Sequence, residues 1–121
     1  MPLIPQEEML HFENMIYLPM VLIVLERDRE LIQNGPFKLK RPYLGILEGA
    51  IKQVQKELDK TKIHMRTHQM NLKKGVADDT FTEYVLHHKG FEDHRRYLNV
   101  RLRNRVEELV RTYFSQAELK A

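Results

Sequence analysis

Six histidines and no cysteine define the chemistry open to this chain of 121 residues. Imidazole nitrogens with carboxylate oxygens suit zinc, iron or manganese, and the lack of thiols excludes thiolate ligands and cysteine nucleophiles. Three local spacings favour a metal. Glu8-x-x-His11 and Glu83-x-x-x-His87 each set a carboxylate and an imidazole on one helix face, and His64-x-x-x-His68 does so for two imidazoles. In antiparallel helices, residues whose numbers sum to about 76 lie level across the first connection, and about 154 across the second, because both helices rise equally per residue. His11 then faces His64 and Met65, His68 faces Leu86 and His87, and His64 lies near Gly90. His11, His64, His68, His87, His88 and His94 thereby gather in one end layer with Glu8 and Glu83. The candidate metal set is His11, His64, His68, His87, Glu8 and Glu83, holding a divalent ion such as zinc or iron. Carboxylate-bridged di-iron bundles need Glu-x-x-His twice; this chain has it once, so a mononuclear site is the better form. The plainer reading, preferred here, leaves some histidines as surface residues and makes His68 a hydrogen-bonded polar on a helical seam.

A second candidate is the cationic block RRYLNVRLRNR, residues 95–105, with Arg95, Arg96, Arg101, Arg103 and Arg105 and no acid. Arginines beside Tyr97 could grip phosphates. Glu92, Asp93, Glu107 and Glu108 flank the block, and Leu98 and Leu102 are needed for a core. A helix-turn-helix reading of TEYVLHHKGFEDHRRYL fails because Arg96 and Asn99 fall where an apolar residue is required. A solvated face is therefore preferred, and nucleic-acid binding is kept only as an alternative. There is no phosphate-cradling glycine loop and no Gly-x-Ser-x-Gly, and Ser115 is the single serine. No catalytic residue and no cofactor is expected.

The elements that would position these groups all read as helices. The stretch MIYLPMVLIVL, residues 15–25, is apolar almost without interruption and calls for burial on all sides. At about eleven residues it falls short of the roughly 20 needed to span a bilayer, so no spanning segment is expected. It lies in a first helix over 6–33, preceded by an extended lead-in marked by Pro2 and Pro5. One seam runs through His11, Met15, Leu18, Leu22, Leu25, Arg29 and Ile32. Tyr17, Val21, Val24 and Leu31 give a second, and Ile16, Met20 and Ile23 nearly close the circle. Pro19 predicts a kink, and Asn34-Gly35-Pro36 a stop. A second helix opens at Pro42 and keeps three–four spacing through Leu44, Leu47, Ile51, Val54, Leu58, Thr61, Met65, His68 and Leu72, up to Gly75. Ile63 and Met70 lie off that seam and suggest a further contact. Thr61, His68, His11 and Arg29 are polar seam positions that can set register. Thr80 with Glu83 has capping-box spacing, so a helix should start at Thr80. It is broken or bent at Gly90 and continues with Phe91, Leu98, Leu102, Val106, Leu109 and Tyr113 on one face. The expected architecture is all-α: one domain over 1–121, an antiparallel bundle of three long helices with coiled-coil-like seams. The third helix is interrupted near Gly90, so the bundle counts as three- or four-helix.

Composition bounds the rest. With 42% hydrophobic and 31% charged residues the chain can bury a modest core, and a net charge of +3 selects no partner class. Lack of cysteine suits a reducing cytosol, and the acidic start MPLIPQEEML lacks the basic region of an export signal, so a cytoplasmic setting is expected. The strings MIYLPMVLIVLERD and FKLKRPYL resemble those of the YhjD-like family, small helical proteins of spore-forming bacilli, over most of the chain. The resemblance implies a bacterial cytosolic protein linked to sporulation and carries over no active-site residue. Surplus apolar surface on the first helix points to a non-enzymatic protein acting by protein–protein contact. A homo-oligomer and an unidentified protein partner are expected, and no membrane. The alternatives are the metal-binding bundle and weak nucleic-acid binding.

Overall fold

The computed structural model describes residues 4–120. The lead-in residue Pro2 lies outside them; Pro5 directly precedes the first helix. Three helices and a three-stranded antiparallel sheet follow in the order α1 (Gln6–Asn34), α2 (Lys40–Thr67), β1 (Met70–Ala77), β2 (Phe81–His88), β3 (Phe91–Leu98) and α3 (Asn99–Lys120). The all-α, coiled-coil expectation does not hold: this is an α+β fold, and residues 70–98 are a β-meander of order β1-β2-β3.

The first two helices form as their spacing predicts. α1 carries Glu7 and Glu8 in its first turn, where the helix dipole favours carboxylates, and runs through Pro19 without a break. α2 buries Leu47, Ile51, Val54, Leu58, Thr61 and Met65 along one seam. The seam does not continue to Leu72. The amide of His68 closes the last turn onto the carbonyls of His64 and Met65, and Gln69, with φ of 55°, turns the chain out of the helix. Leu72 and Met70 then belong to a strand, with Met70 buried, so only Ile63 of the expected outer pair is exposed.

The helix expected from Thr80 is β2, and its burial alternates residue by residue: Thr82, Tyr84, Leu86 and His88 point inward, and Phe81, Glu83, Val85 and His87 point away. The Thr80/Glu83 spacing caps nothing. Instead Asp78 Oδ1 accepts the amides of Thr80 (2.8 Å) and Phe81 (2.7 Å), an Asx turn between β1 and β2. Gly90 neither breaks nor bends a helix. With Lys89 at φ 49° and Gly90 at 86°, it completes a two-residue hairpin turn that pairs His88 with Phe91. The expected last helix is therefore divided. Phe91 and Leu98 are strand residues, whereas Leu102, Val106 and Tyr113 of α3 are buried as the spacing required.

The core has two parts, and α1 serves both. Phe12 and Ile16 pack with Met65, Met70, Tyr84, Leu86 and Leu102 beneath the sheet. Leu18, Val21 and Leu25 pack with α2 and with Val106 and Tyr113 of α3. At roughly 100° per residue the two sets lie on nearly opposite sides of the rod. The sheet covers only the N-terminal half, so α1 is not enclosed all round: Ile23 is 66% exposed, Leu31 63% and Val24 38%.

Replacement of Gly90 by alanine separates a hairpin from a helix by sign. In a helix the change would add about 1 kcal/mol of stability; at a positive φ it is expected to cost roughly 1–2 kcal/mol. Urea unfolding midpoints of the two proteins decide the sign.

Candidate functional site

Antiparallel packing of α1 on α2 fixes what meets at the end nearest the sheet. Asn14 Nδ2 donates to Thr61 Oγ1 at 3.3 Å, and one turn further the His11 ring lies on that of His64, with centres 3.7 Å apart and planes within 13°. The level-pairing arithmetic for the first connection thus holds. His68 stacks on the other face of His64, centres 3.9 Å apart. The result is a column of three imidazoles from the N-terminal part of α1 and the C-terminal end of α2.

Hydrogen bonding sets part of their chemistry. His68 Nδ1 lies 2.8 Å from the carbonyl of His64; a carbonyl only accepts, so Nδ1 carries a proton. His11 Nδ1 and His64 Nε2 are buried with no hydrogen-bond partner. An unmet buried polar group costs on the order of 1–3 kcal/mol, so this pair is a destabilising feature of the fold. Burial, followed by the neighbouring His64, lowers the His11 pKa from 6.5; Glu8 opposes the shift and His68 adds to it.

Glu8, one turn before His11, accepts a hydrogen bond from His88 Nε2, whose ring stands edge-on to Phe12. Burial alone would raise the Glu8 carboxyl. The His88 hydrogen bond and the charges of His88, Lys89 and His68 outweigh it and hold the carboxyl below its usual value. His88 therefore joins the cluster at this end, although the sequence reading had not named it as a ligand.

The other members of the candidate set are elsewhere. Strand alternation sends His87 and Glu83 to the outer face of the sheet, where His87 lies 3.7 Å from Glu92. His94 lies 3.7 Å from Glu83 and 3.2 Å from Glu92 on the same face. The single end layer is thus two groups separated by the sheet: His11, His64, His68, His88 and Glu8 on one side, and Glu83, His87, Glu92 and His94 on the other. Among the described residues no three such side chains already converge on an ion position. The signal that could have separated them was the two-residue period of Thr82, Tyr84, Leu86 and His88.

The arginines divide in the same way. Arg95 is ion-paired with Asp93 at 2.9 Å, Arg105 with Glu108 at 3.0 Å, and Arg96 lies 4.1 Å above the Phe81 ring. Arg95, Arg96 and Arg101 line one open depression with Phe81 and Tyr97, and Arg103 and Arg105 follow on the exposed face of α3.

A family profile described as YhjD protein matches residues 3–118. The chain belongs to the YhjD family. A relative from Bacillus subtilis (strain 168), described as uncharacterized protein YhjD, is 32% identical over 114 residues and covers 94% of each chain. No solved structure matches. The family resemblance drawn from MIYLPMVLIVLERD and FKLKRPYL is thus correct.

The histidine column makes stability depend on pH. The folded state holds the His11 pKa below 6.5, so the unfolded chain binds more protons in acid. The contribution is present above that pH and is lost as pH falls through and below it. Urea midpoints are expected to decline from pH 8 towards pH 5, and His11→Gln should flatten part of that decline. An equally steep decline in the variant would remove His11 as its source.

Proposed function

We propose that this YhjD-family protein acts without catalysis, by protein–protein contact, and that its primary contact is self-association through the outer flank of α1. One observation carries the reading. The most apolar 18-residue window of α1 has a mean hydropathy of 1.4, yet only 28% of it is buried. Ile23, Val24 and Leu31 lie in water on the half that the sheet leaves open. By length and composition α1 could cross a membrane. Its packed neighbours argue against that role. Lys52, Lys56 and Lys60 of α2 and Arg103 and Arg111 of α3 are exposed on helices bound to it, and such charges are costly in hydrocarbon.

A second copy is the occupant that the flank's charges favour. Glu26, Arg27 and Glu30 share a shallow groove with Ile23. Two flanks laid antiparallel about Arg27 put Ile23 of each copy level with Leu31 of the other. The two guanidiniums then meet the Glu30 carboxylates one turn away. Few apolar side chains are involved, against the roughly 800 Å² per partner of a standard interface, so the association is of modest strength. The cytosolic setting and the sporulation link belong to this proposal unchanged; neither adds a residue to it. Nucleic-acid binding through the arginines is the weaker reading, because Arg95 and Arg105 are already ion-paired.

Light scattering across micromolar concentrations is expected to show the native chain passing from monomer to dimer. The double variant Ile23→Glu, Leu31→Glu should remain monomeric with unchanged helical circular dichroism. A native chain that stays monomeric throughout, or a dimer that survives both substitutions, defeats the proposal.

A further inference from the structure

We propose that the turn between α1 and α2 docks onto the surface of an anionic lipid bilayer. Phe37, Leu39 and Tyr43 enter the headgroup layer, and Lys38 and Arg41 meet lipid phosphates. The surface is separate from the Ile23 and Leu31 flank and does not depend on self-association. A tip lying in the headgroup layer needs no spanning segment, so the proposal departs from the expected absence of a membrane partner without placing α1 in hydrocarbon.

The turn combines apolar and cationic groups by alternation. Between Glu30 and Glu48 the chain has no acidic residue, and PFKLKRPY interleaves Phe37, Leu39 and Tyr43 with Lys38, Lys40 and Arg41. α1 ends at Asn34 and α2 begins at Lys40, so the turn lies at the end of the helical pair away from the sheet. Its apolar groups are in water: Leu39 is 70% exposed, Tyr43 53% and Phe37 44%. The rings of Phe37 and Tyr43 lie 5.8 Å apart and tilted by 53°, which makes one patch of them. Single exposed apolar residues are ordinary, whereas a set gathered at one chain reversal marks a contact surface. Lys38 and Arg41 are exposed and have no carboxylate partner among the described residues. Lys40 Nζ donates to the Gln33 carbonyl at 2.9 Å and adds its charge from there.

Charge and side-chain type together select lipid as the occupant. Aromatic rings favour the membrane–water interface, and lysine and arginine keep their charge at headgroup level while their stems lie along apolar surface. Neither an apolar insertion nor a basic patch alone holds a protein firmly on a bilayer; the two together do, and this turn supplies both. A nucleic acid fits less well, because bases stack on aromatic faces and the most exposed apolar side chain here is the aliphatic Leu39. The neighbouring depression lined by Asp28, Ile32, Tyr43, Ile46, Leu47 and Phe114 includes neither Phe37 nor Leu39, and its Asp28 carboxylate repels phosphate.

Sedimentation of the full chain with large unilamellar vesicles tests the surface. Each cation near an anionic surface raises binding roughly fivefold, so two give on the order of 25-fold. The native chain is expected to prefer vesicles of equal parts phosphatidylglycerol and phosphatidylcholine over pure phosphatidylcholine by about that factor. Lys38→Glu, Arg41→Glu should abolish the preference. Phe37→Ser, Leu39→Ser should weaken binding to the anionic vesicles roughly tenfold or more, with helical circular dichroism unchanged. Ile23→Ser, on the α1 flank, should bind as the native chain does. The native sequence has no tryptophan, so Leu39→Trp places a single reporter at the tip. Its emission is expected to move to the blue on the anionic vesicles. The proposal is overturned if the native chain shows no preference for anionic vesicles, or if both turn variants bind as the native chain does. A tryptophan emission that moves with single-stranded RNA but not with vesicles would assign the turn to nucleic acid and overturn it equally.

Discussion

The fold depends on one helix being buried on two different sides along its length. The first half of α1 must meet a sheet through Phe12 and Ile16, and the second half must meet two helices through Leu18, Val21 and Leu25. Pro19 sits where one requirement gives way to the other. A single apolar stripe could not satisfy both, which is why the segment is hydrophobic nearly all round. The cost of that solution appears where the sheet ends, because the side that Phe12 and Ile16 use has no cover beyond Met20. The exposed Ile23 and Leu31 are the continuation of a buried surface past the edge of what buries it.

The histidine column follows from the same packing. Where α1 meets α2 beside the sheet the contact is polar, with Asn14 on Thr61 and His11 on His64. Apolar side chains there would have slid with little penalty, whereas an amide–hydroxyl bond and a ring stack tie one level to one level. Alignment of the long helices and assembly of the imidazoles are thus one event. Of the polar seam positions, His11 and His68 belong to the imidazole column, and Thr61 holds the level one turn away.

About half of the architecture was legible from residue spacing, and the reasons are local. α1, α2 as far as Met65, and the inner face of α3 through Leu102, Val106 and Tyr113 have long apolar periods that only a helix satisfies. The sheet was hidden by coincidences. His68 and Leu72 extend the α2 seam by two further steps although the helix has ended at Thr67. Thr80 and Glu83 imitate a capping box while Asp78 makes the actual turn. The hairpin uses Lys89-Gly90, which lacks the Asn or Asp that advertises such turns. The candidate site inherited the same boundary. His11 and His64 lie on true helices and meet at the level the spacing gave them, whereas His68 caps α2 just past its end, and His87 and Glu83 were assigned by helical spacing and lie across the sheet. Side-chain tautomer and the missing partners of His11 and His64 have no counterpart in sequence at all.

The junction between β3 and α3 has no linker: Leu98 ends the strand and Asn99 begins the helix. Asn99 is held by its amide to the Thr80 carbonyl, by its side-chain nitrogen to the Asp78 carbonyl and by its side-chain oxygen to Thr82. Strand and helix therefore meet at a fixed elbow pinned by that asparagine. One arm forms the edge of the sheet next to His88 and the other reaches Tyr113 in the far core. With no slack at the elbow, the direction in which α3 leaves the sheet is set by the same asparagine that ties it to the β1–β2 turn.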